Sequence, residues 1–190
     1  MWNSIIKPTL VLFVVCAVIT GALAYVNDMT KDIIFQRTQQ EQEQFRKDVM
    51  GNADRFVQVN PAGISDKVAG VYEAYSQDGT IIGYVMDVKT KGYGGTISLT
   101  VGVNTDGQVT GVIIGDNNET PGLGSKAKEP GFTGQFKEVN VNHTLSVVKQ
   151  NKKSANEIQA ISGATITSRA VTEGVQVALD SVKLITEGGK

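Results

Sequence analysis

The chain has 190 residues, and its 18 Lys and Arg residues against 19 Asp and Glu residues give a formal net charge of −1. This length fits one domain with a short appendage, and the even charge argues against nucleic acid as a partner, because nucleic acid selects basic surfaces. With one cysteine and one histidine in the sequence, we expect no disulfide framework, iron–sulfur cluster or Cys- or His-rich metal site within the chain.

The N-terminal region contains an apolar segment of membrane-spanning length. Residues 8–27 carry no charge and lie between Lys7 and Asp28, and a membrane helix needs about 20 apolar residues. A secretory signal peptide is the alternative, since Ala22-Leu23-Ala24 offers a small-residue cleavage site. The run is longer than the roughly 7–15 apolar residues of a signal peptide, so we predict a retained transmembrane helix, with Cys16 as an ordinary apolar residue within it.

The flanking charges predict how this helix is oriented. Its N-terminal side has the α-amino group and Lys7 without an acid, whereas its C-terminal side mixes Asp28, Lys31 and Asp32. Positive flanks stay in the cytoplasm. The sequence therefore predicts a single-pass protein of the cell membrane, with a cytoplasmic N-terminus and a C-terminal domain in the periplasm or outside the cell.

The rest of the chain divides into a connector and one domain. Residues 28–50 are polar and lack Gly and Pro, which favours a helix, and Asn60-Pro61-Ala62-Gly63 then breaks the chain. We expect Phe45 and Val49 to pack on the domain. The predicted divisions are 1–27 for the cytoplasmic tip and transmembrane helix, 28–60 for the helical connector and 61–190 for the domain.

Two Asp-Gly pairs, at 78–79 and 106–107, predict antiparallel hairpins, because each lies between β-rich runs. The spacing of apolar residues in 168–185 predicts an amphipathic helix, which Gly188-Gly189 would end. The fold class predicted is α+β, an antiparallel sheet with flanking helices. The predicted strands are 70–76 with 81–89, 96–103 with 109–114, and 145–149, and the stretch predicted as loop is 116–134.

The stretch SGATITS at 162–168 concentrates four hydroxyl groups directly before the last predicted helix. A helix N-terminus binds phosphate through its free N–H groups, but Ser and Thr are also common as helix caps. The residues alone leave both interpretations open. The run GLGSKA at 122–127 matches G-x-G-x-x-A, but Pro130-Gly131 follows where a dinucleotide site needs a helix, so we reject that site. His143 is interpreted as an ordinary loop residue.

The stretch SGATITS resembles the signature of the FMN-binding domain family, which includes the G subunit of Rnf electron-transport complexes and the C subunit of the sodium-pumping NADH:quinone reductase. The family's glycine-rich loop is similar to ETPGLG at 119–124. The N-terminal anchor and the total length are similar to those of the Rnf G subunit. Asn117 stands where many members have a histidine, so no role of that histidine is carried over.

The resemblance implies that FMN is attached covalently, as a phosphoester of the Thr167 hydroxyl, by a flavin transferase that uses FAD. Tyr93, in a glycine-rich turn, is either a stacking residue for the flavin or a surface tyrosine. The residues expected around the flavin, besides Thr167, are Ser162, Gly163, Ala164, Thr165, Glu119, Thr120, Gly122, Leu123, Gly124 and Tyr93.

The function implied by the resemblance is an electron relay in an Rnf-type complex that couples ferredoxin and NAD redox chemistry to sodium or proton transport. Other membrane subunits are then its partners, and they must hold the ferredoxin and NAD sites, because this chain lacks the cysteines and the nucleotide-binding fold. Two alternatives remain open. The first is a non-redox anchored scaffold, and the second is a free-standing FMN-dependent reductase, for which we find no set of acid–base residues.

Overall fold

The computed structural model describes residues 5–188, and its contacts separate the chain into two compact units, residues 1–43 and 44–190. The predicted helix stop at Gly189 and the first four residues of the N-terminal flank lie outside the described residues. Helix α1 (Lys7–Val49) begins in the first unit and ends in the second, so the predicted helix over 28–50 is confirmed. Its apolar part is long enough to cross a membrane, and none of the side chains in that part is buried.

The second unit is built on a five-stranded antiparallel sheet in which the strands follow one another in chain order. Both predicted hairpins are confirmed, as β2–β3 and β4–β5. β1 pairs with β2 along the edge of the sheet and was not predicted, because a five-residue, half-exposed strand shows too little alternation to be recognised. The strands are β1 (Arg55–Val59), β2 (Val68–Tyr75), β3 (Ile81–Lys91), β4 (Thr96–Asn104) and β5 (Val109–Ile114).

The stretch after β5 is more structured than predicted. Within the expected loop over 116–134 lie a 3-10 turn (Gly124–Lys128) and a short helix α2 (Pro130–Thr133), and a second 3-10 turn (Gly134–Glu138) follows. The loop prediction is wrong at these segments because four or five residues are too few to show helical periodicity. Pro130 starts α2, a position where its missing N–H is not needed.

The C-terminal part contains a small parallel ladder and the principal helix of the domain. β6 (Ser146–Val148) confirms the strand predicted at 145–149, and it pairs in parallel with the unpredicted β7 (Glu157–Gln159). Helix α3 (Thr165–Gly188) starts three residues earlier than the predicted 168. This correction matters for function, because it brings Thr167 into the first turn of the helix.

The two faces of the five-stranded sheet are covered by different helices. α3 packs on one face, where a Cβ on Gly174 would lie 2.1 Å from the Leu99 side chain, so the helix can approach closely only with glycine there. The last turn of α1 covers the other face. Val49 is buried there, and the Phe45 ring reaches 3.2 Å from the Cβ position of Gly115. The predicted packing of Phe45 and Val49 is therefore confirmed.

Candidate functional site

The two stretches that resemble family motifs lie side by side in the folded domain. The first turn of α3 and the loop after β5 meet the tip of the β3–β4 hairpin around a cavity of about 520 Å³. The cavity combines most of the predicted site residues with one unpredicted neighbour, Ile166. The residues that line it are Tyr93, Glu119, Thr120, Leu123, Gly124, Gly163, Ala164, Thr165, Ile166 and Thr167.

Two predicted site residues, Ser162 and Gly122, lie beside the cavity without lining it. Both are exposed. Ser162 precedes Gly163, which has a φ of +76°, and Gly122 has a φ of +77° and donates its N–H to the Ser125 hydroxyl at 2.9 Å. Their observed role is to turn the two chain segments that carry the lining residues.

Thr167 is the buried hydroxyl at the centre of the site. It is the third residue of α3 and only 1% exposed, and its Oγ1 donates a hydrogen bond to Glu119 Oε2 at 2.5 Å. The helical spacing turns Thr167 inward together with Val171, whereas Ile166 points outward and is 54% exposed. The contact joins residues that are 48 positions apart in the chain.

Glu119 is held by glycines of two loops. Its Oε1 accepts a hydrogen bond from the Gly94 N–H at 3.0 Å, and the side chain is 7% exposed. A Cβ on Gly92 would lie 2.2 Å from Oε1, and a Cβ on Gly124 would lie 2.4 Å from Oε2 and 2.8 Å from Thr167 Oγ1. The carboxylate can therefore reach Thr167 only because these two positions carry no side chain.

At the start of α3, the Ser168 hydroxyl and the backbone N–H groups of the first turn differ in their hydrogen bonds. Ser168 Oγ accepts a hydrogen bond from the Ile161 N–H at 3.0 Å and donates to the Ala164 carbonyl at 2.9 Å. Ser168 lies inside α3 and accepts an N–H from before the helix, so it ties the preceding loop to the first turn and does not cap the helix N–H groups. The N–H groups of the residues before it belong to the first turn, which has no carbonyl one turn earlier in the helix to accept them. That turn is where a helix holds an anion.

The remaining predicted residues lie at the edge of this arrangement. Tyr93 is 71% exposed at the cavity rim, next to Gly94, so it is both a surface tyrosine and a neighbour of the site. Asn117 does not line the cavity. Its side chain donates to the Gly115 carbonyl at 3.0 Å and accepts from the Glu119 N–H at 3.2 Å, which bends the chain before Glu119. His143 accepts a hydrogen bond from the Asn140 N–H at 3.2 Å within a turn.

The sequence reasoning did not identify why Gly92 and Gly94 are needed or that Ile166 belongs to the cavity. The cluster of glycines around Tyr93 was the available signal, because closely spaced glycines indicate a close backbone approach. Gly92 lies against the Glu119 carboxylate and Gly94 against the Asn118 backbone. Both contacts join residues about 25 positions apart, so they leave no local trace in the sequence.

Models of two known families match separate parts of the chain. The FMN-binding domain family matches residues 92–180, and the RnfG N-terminal region matches residues 1–49. A helix of membrane-spanning length followed by an FMN-binding domain is therefore the class of protein that the fold and the site define.

Proteins that align with almost the whole chain identify a particular family within this class. The G subunit of the proton-translocating ferredoxin:NAD(+) oxidoreductase complex of Clostridium ljungdahlii is 39% identical, over 99% of this chain and 96% of the relative. The G subunit of the Na(+)-translocating complex of Acetobacterium woodii is 37% identical, over 94% and 91%. The chain belongs to the family of G subunits of ion-translocating ferredoxin:NAD(+) oxidoreductase complexes, and the resemblance noted in the sequence is confirmed.

Solved structures share the fold. The crystal structure of Shewanella oneidensis NqrC is 20% identical, with a TM-score of 0.52 over 73% of this chain and 70% of that chain. The C subunit of the Na(+)-translocating NADH-quinone reductase of Parabacteroides distasonis is 26% identical, with a TM-score of 0.52 over 67% and 78%. The predicted α+β class, a long N-terminal helix followed by an antiparallel sheet with flanking helices, is confirmed.

Proposed function

We propose that this chain is the electron-relaying flavoprotein component of an Rnf-type complex and carries FMN covalently on Thr167. Family membership supports the role in a complex that couples ferredoxin and NAD redox chemistry to ion transport. The observation that carries the attachment site is the buried Thr167 hydroxyl, which is bonded to Glu119 where both family motifs meet.

The residues of the cavity fit FMN. A volume of about 520 Å³ lies within the range of about 300–1,000 Å³ found for small-molecule sites. Leu123, Ile166 and Tyr93 present exposed apolar surface at the rim, which suits a flat aromatic ring. The first turn of α3 offers N–H groups and positive potential to a phosphate, a stabilisation of roughly 0.3–1 kcal/mol.

Each part of the site then has a task. Thr167 Oγ1 is the atom through which the phosphate is attached, and the N–H groups of the first turn of α3 hold its free oxygens. Leu123 and Ile166 would offer apolar contacts to the flavin ring at the rim of the cavity. FMN bound there supplies one- and two-electron redox chemistry. A covalent attachment keeps the cofactor in place in every redox state, which suits a relay that binds no substrate of its own.

The proposal also specifies partners and orientation. Other subunits hold the ferredoxin and NAD sites, so this chain has no complete active site, and a flavin transferase installs the FMN. The N-terminus lies in the cytoplasm and the FMN-binding domain on the opposite side of the membrane. The charges that flank the apolar part of α1 support this orientation.

Substitution of Thr167 tests the attachment. Thr167→Ala removes the atom that forms the ester, so we expect covalent flavin to vanish, whereas Thr167→Ser keeps a hydroxyl and should still be modified. The variants are expressed in full length with a flavin transferase, and flavin is read by in-gel fluorescence after denaturation and by intact mass.

Thr165→Ala is the matched control, because Thr165 is a neighbouring hydroxyl that also lines the cavity. We expect it to keep its covalent flavin, with slower attachment at most. Fluorescence that persists in Thr167→Ala and is lost in Thr165→Ala would show that another hydroxyl is used. A wild-type chain without covalent flavin would contradict the proposed function itself.

A further inference from the structure

We propose that Glu119 is the general base for the attachment of FMN to Thr167, so that this chain supplies a catalytic group for its own modification. The inference rests on the proposed covalent FMN. It assigns to Glu119 the removal of the proton from Thr167 Oγ1 while the flavin transferase presents the flavin dinucleotide.

The geometry of the pair is that of a nucleophile and its base. Thr167 Oγ1 and Glu119 Oε2 are 2.5 Å apart, and both residues are buried. A hydroxyl is a weak nucleophile on its own and is activated by an adjacent proton acceptor within hydrogen-bond reach. Burial holds the two groups together and keeps water from competing for the proton.

The orientation of the carboxylate also favours this role. The Gly94 N–H binds Oε1 at 3.0 Å, which leaves Oε2 directed at Thr167. Burying a carboxylate costs free energy unless hydrogen bonds compensate for lost water. Hydrogen bonds from the Gly94 N–H and the Thr167 hydroxyl compensate for the lost water, and Gly92 and Gly124 leave the room that the carboxylate needs. An uncharged side chain would be easier to bury, and a base for the Thr167 hydroxyl is a reason for a carboxylate at this position.

The chemical step balances without a redox change. Thr167 Oγ forms a bond to the phosphorus of the FMN half of a flavin dinucleotide, such as FAD. The bond from this phosphorus to the oxygen shared with the AMP half breaks, and AMP leaves with the electron pair of that bond. The proton of the Thr167 hydroxyl passes to Glu119 Oε2.

A structural role for Glu119, as a tie between the β3–β4 hairpin and α3, makes a different prediction. Glu119→Gln keeps the length of the side chain and a carbonyl oxygen that can accept the Gly94 hydrogen bond, but it cannot take up a proton. A structural tie would therefore survive in the glutamine variant, with attachment at nearly the wild-type rate. A general base contributes about 10²- to 10⁴-fold in rate, so its loss should slow attachment at least 100-fold.

The test measures the rate of covalent flavin incorporation. Flavin-free, full-length chain in detergent is mixed with purified flavin transferase and FAD, and the flavin bound after denaturation is followed with time. We expect Glu119→Gln to lower kcat at least 100-fold with little change in the KM for FAD. Glu129→Gln, at an exposed glutamate of the same segment, is the matched control and should react like the wild type.

The outcomes separate this inference from the proposed function. A wild-type chain that never takes up flavin from an active transferase contradicts the function. A modified wild type with Glu119→Gln within threefold of its rate overturns only the base role. Circular dichroism checks that each variant is folded. If Glu119→Gln does not fold, Glu119→Asp is measured in its place. The aspartate carboxylate lies one methylene further from Thr167, so a base role requires a lower kcat for this variant. A wild-type rate in Glu119→Asp would overturn the base role.

Discussion

Two positions in the loop after β5 require glycine for different physical reasons. Gly122 has a φ of +77° and open space around its Cβ position, so its glycine serves only the backbone conformation. Gly124 is buried, and a Cβ there would lie 2.4 Å from Glu119 Oε2 and 2.8 Å from Thr167 Oγ1. The first glycine shapes the loop, whereas the second makes room for the contact between Glu119 and Thr167.

Alanine substitution should separate these two roles. Gly124→Ala pushes Glu119 and Thr167 apart, and we expect a large loss of covalent flavin. Gly122→Ala should lower the free energy of unfolding by about 1–2 kcal/mol, the cost of a left-handed conformation for a residue with a Cβ, while flavin attachment continues. In-gel flavin fluorescence and urea unfolding measure the two effects. Equal flavin content in both folded variants would refute this assignment.

At the scale of elements, polar contacts attach the last turn of α1 to the sheet. Arg46 is buried, forms an ion pair at 3.0 Å with the partly buried Asp87 and lies 3.8 Å above the Tyr72 ring. Thr100 Oγ1 donates to Asp87 at 2.9 Å, and Thr110 Oγ1 donates to the Val49 carbonyl at 2.5 Å. Burial raises the pKa of the Tyr72 phenol, so the ring remains uncharged below the guanidinium.

Breaking this ion pair should be costly because it leaves a buried charge without its partner. We expect Asp87→Ala to lower the free energy of unfolding of the domain by about 3–5 kcal/mol, measured by urea unfolding followed by circular dichroism. The exposed ion pair of Lys67 with Glu173 offers the control. Glu173→Ala should change stability little, because solvent screens that pair. Similar losses in both variants would contradict the difference in burial.

At the scale of the whole molecule, the sides of the membrane can be distinguished with cysteine labelling. In a Cys16→Ser background, Asn142→Cys should react with a membrane-impermeant maleimide in intact spheroplasts or protoplasts, because Asn142 is exposed on the proposed outer domain. Ile5→Cys should react only after the membrane is permeabilised. The opposite pattern would reverse the proposed orientation. The wild-type chain, whose cysteine lies within the apolar part of α1, is the unlabelled reference.

The sequence by itself determined the features that repeat locally or match a signature. The uncharged run predicted the helix that α1 contains, the Asp-Gly pairs predicted both hairpins, and helical spacing predicted most of α3. The stretch at 162–168 pointed to Thr167 and to FMN. The helix and hairpin signals are each contained in a short window, where periodicity and turn chemistry are sufficient, whereas the stretch at 162–168 is informative through its resemblance to the FMN-binding signature.

Tertiary structure alone decided the rest. The edge strand β1 and the short helical segments after β5 are too short to show periodicity, and the early start of α3 was seen only in the structure. The hydrogen bond between Glu119 and Thr167, and the glycines that make room for it, join three separate segments of the sequence. A contact across 48 residues has no period, so only the fold could show that a carboxylate lies against the hydroxyl proposed to carry FMN.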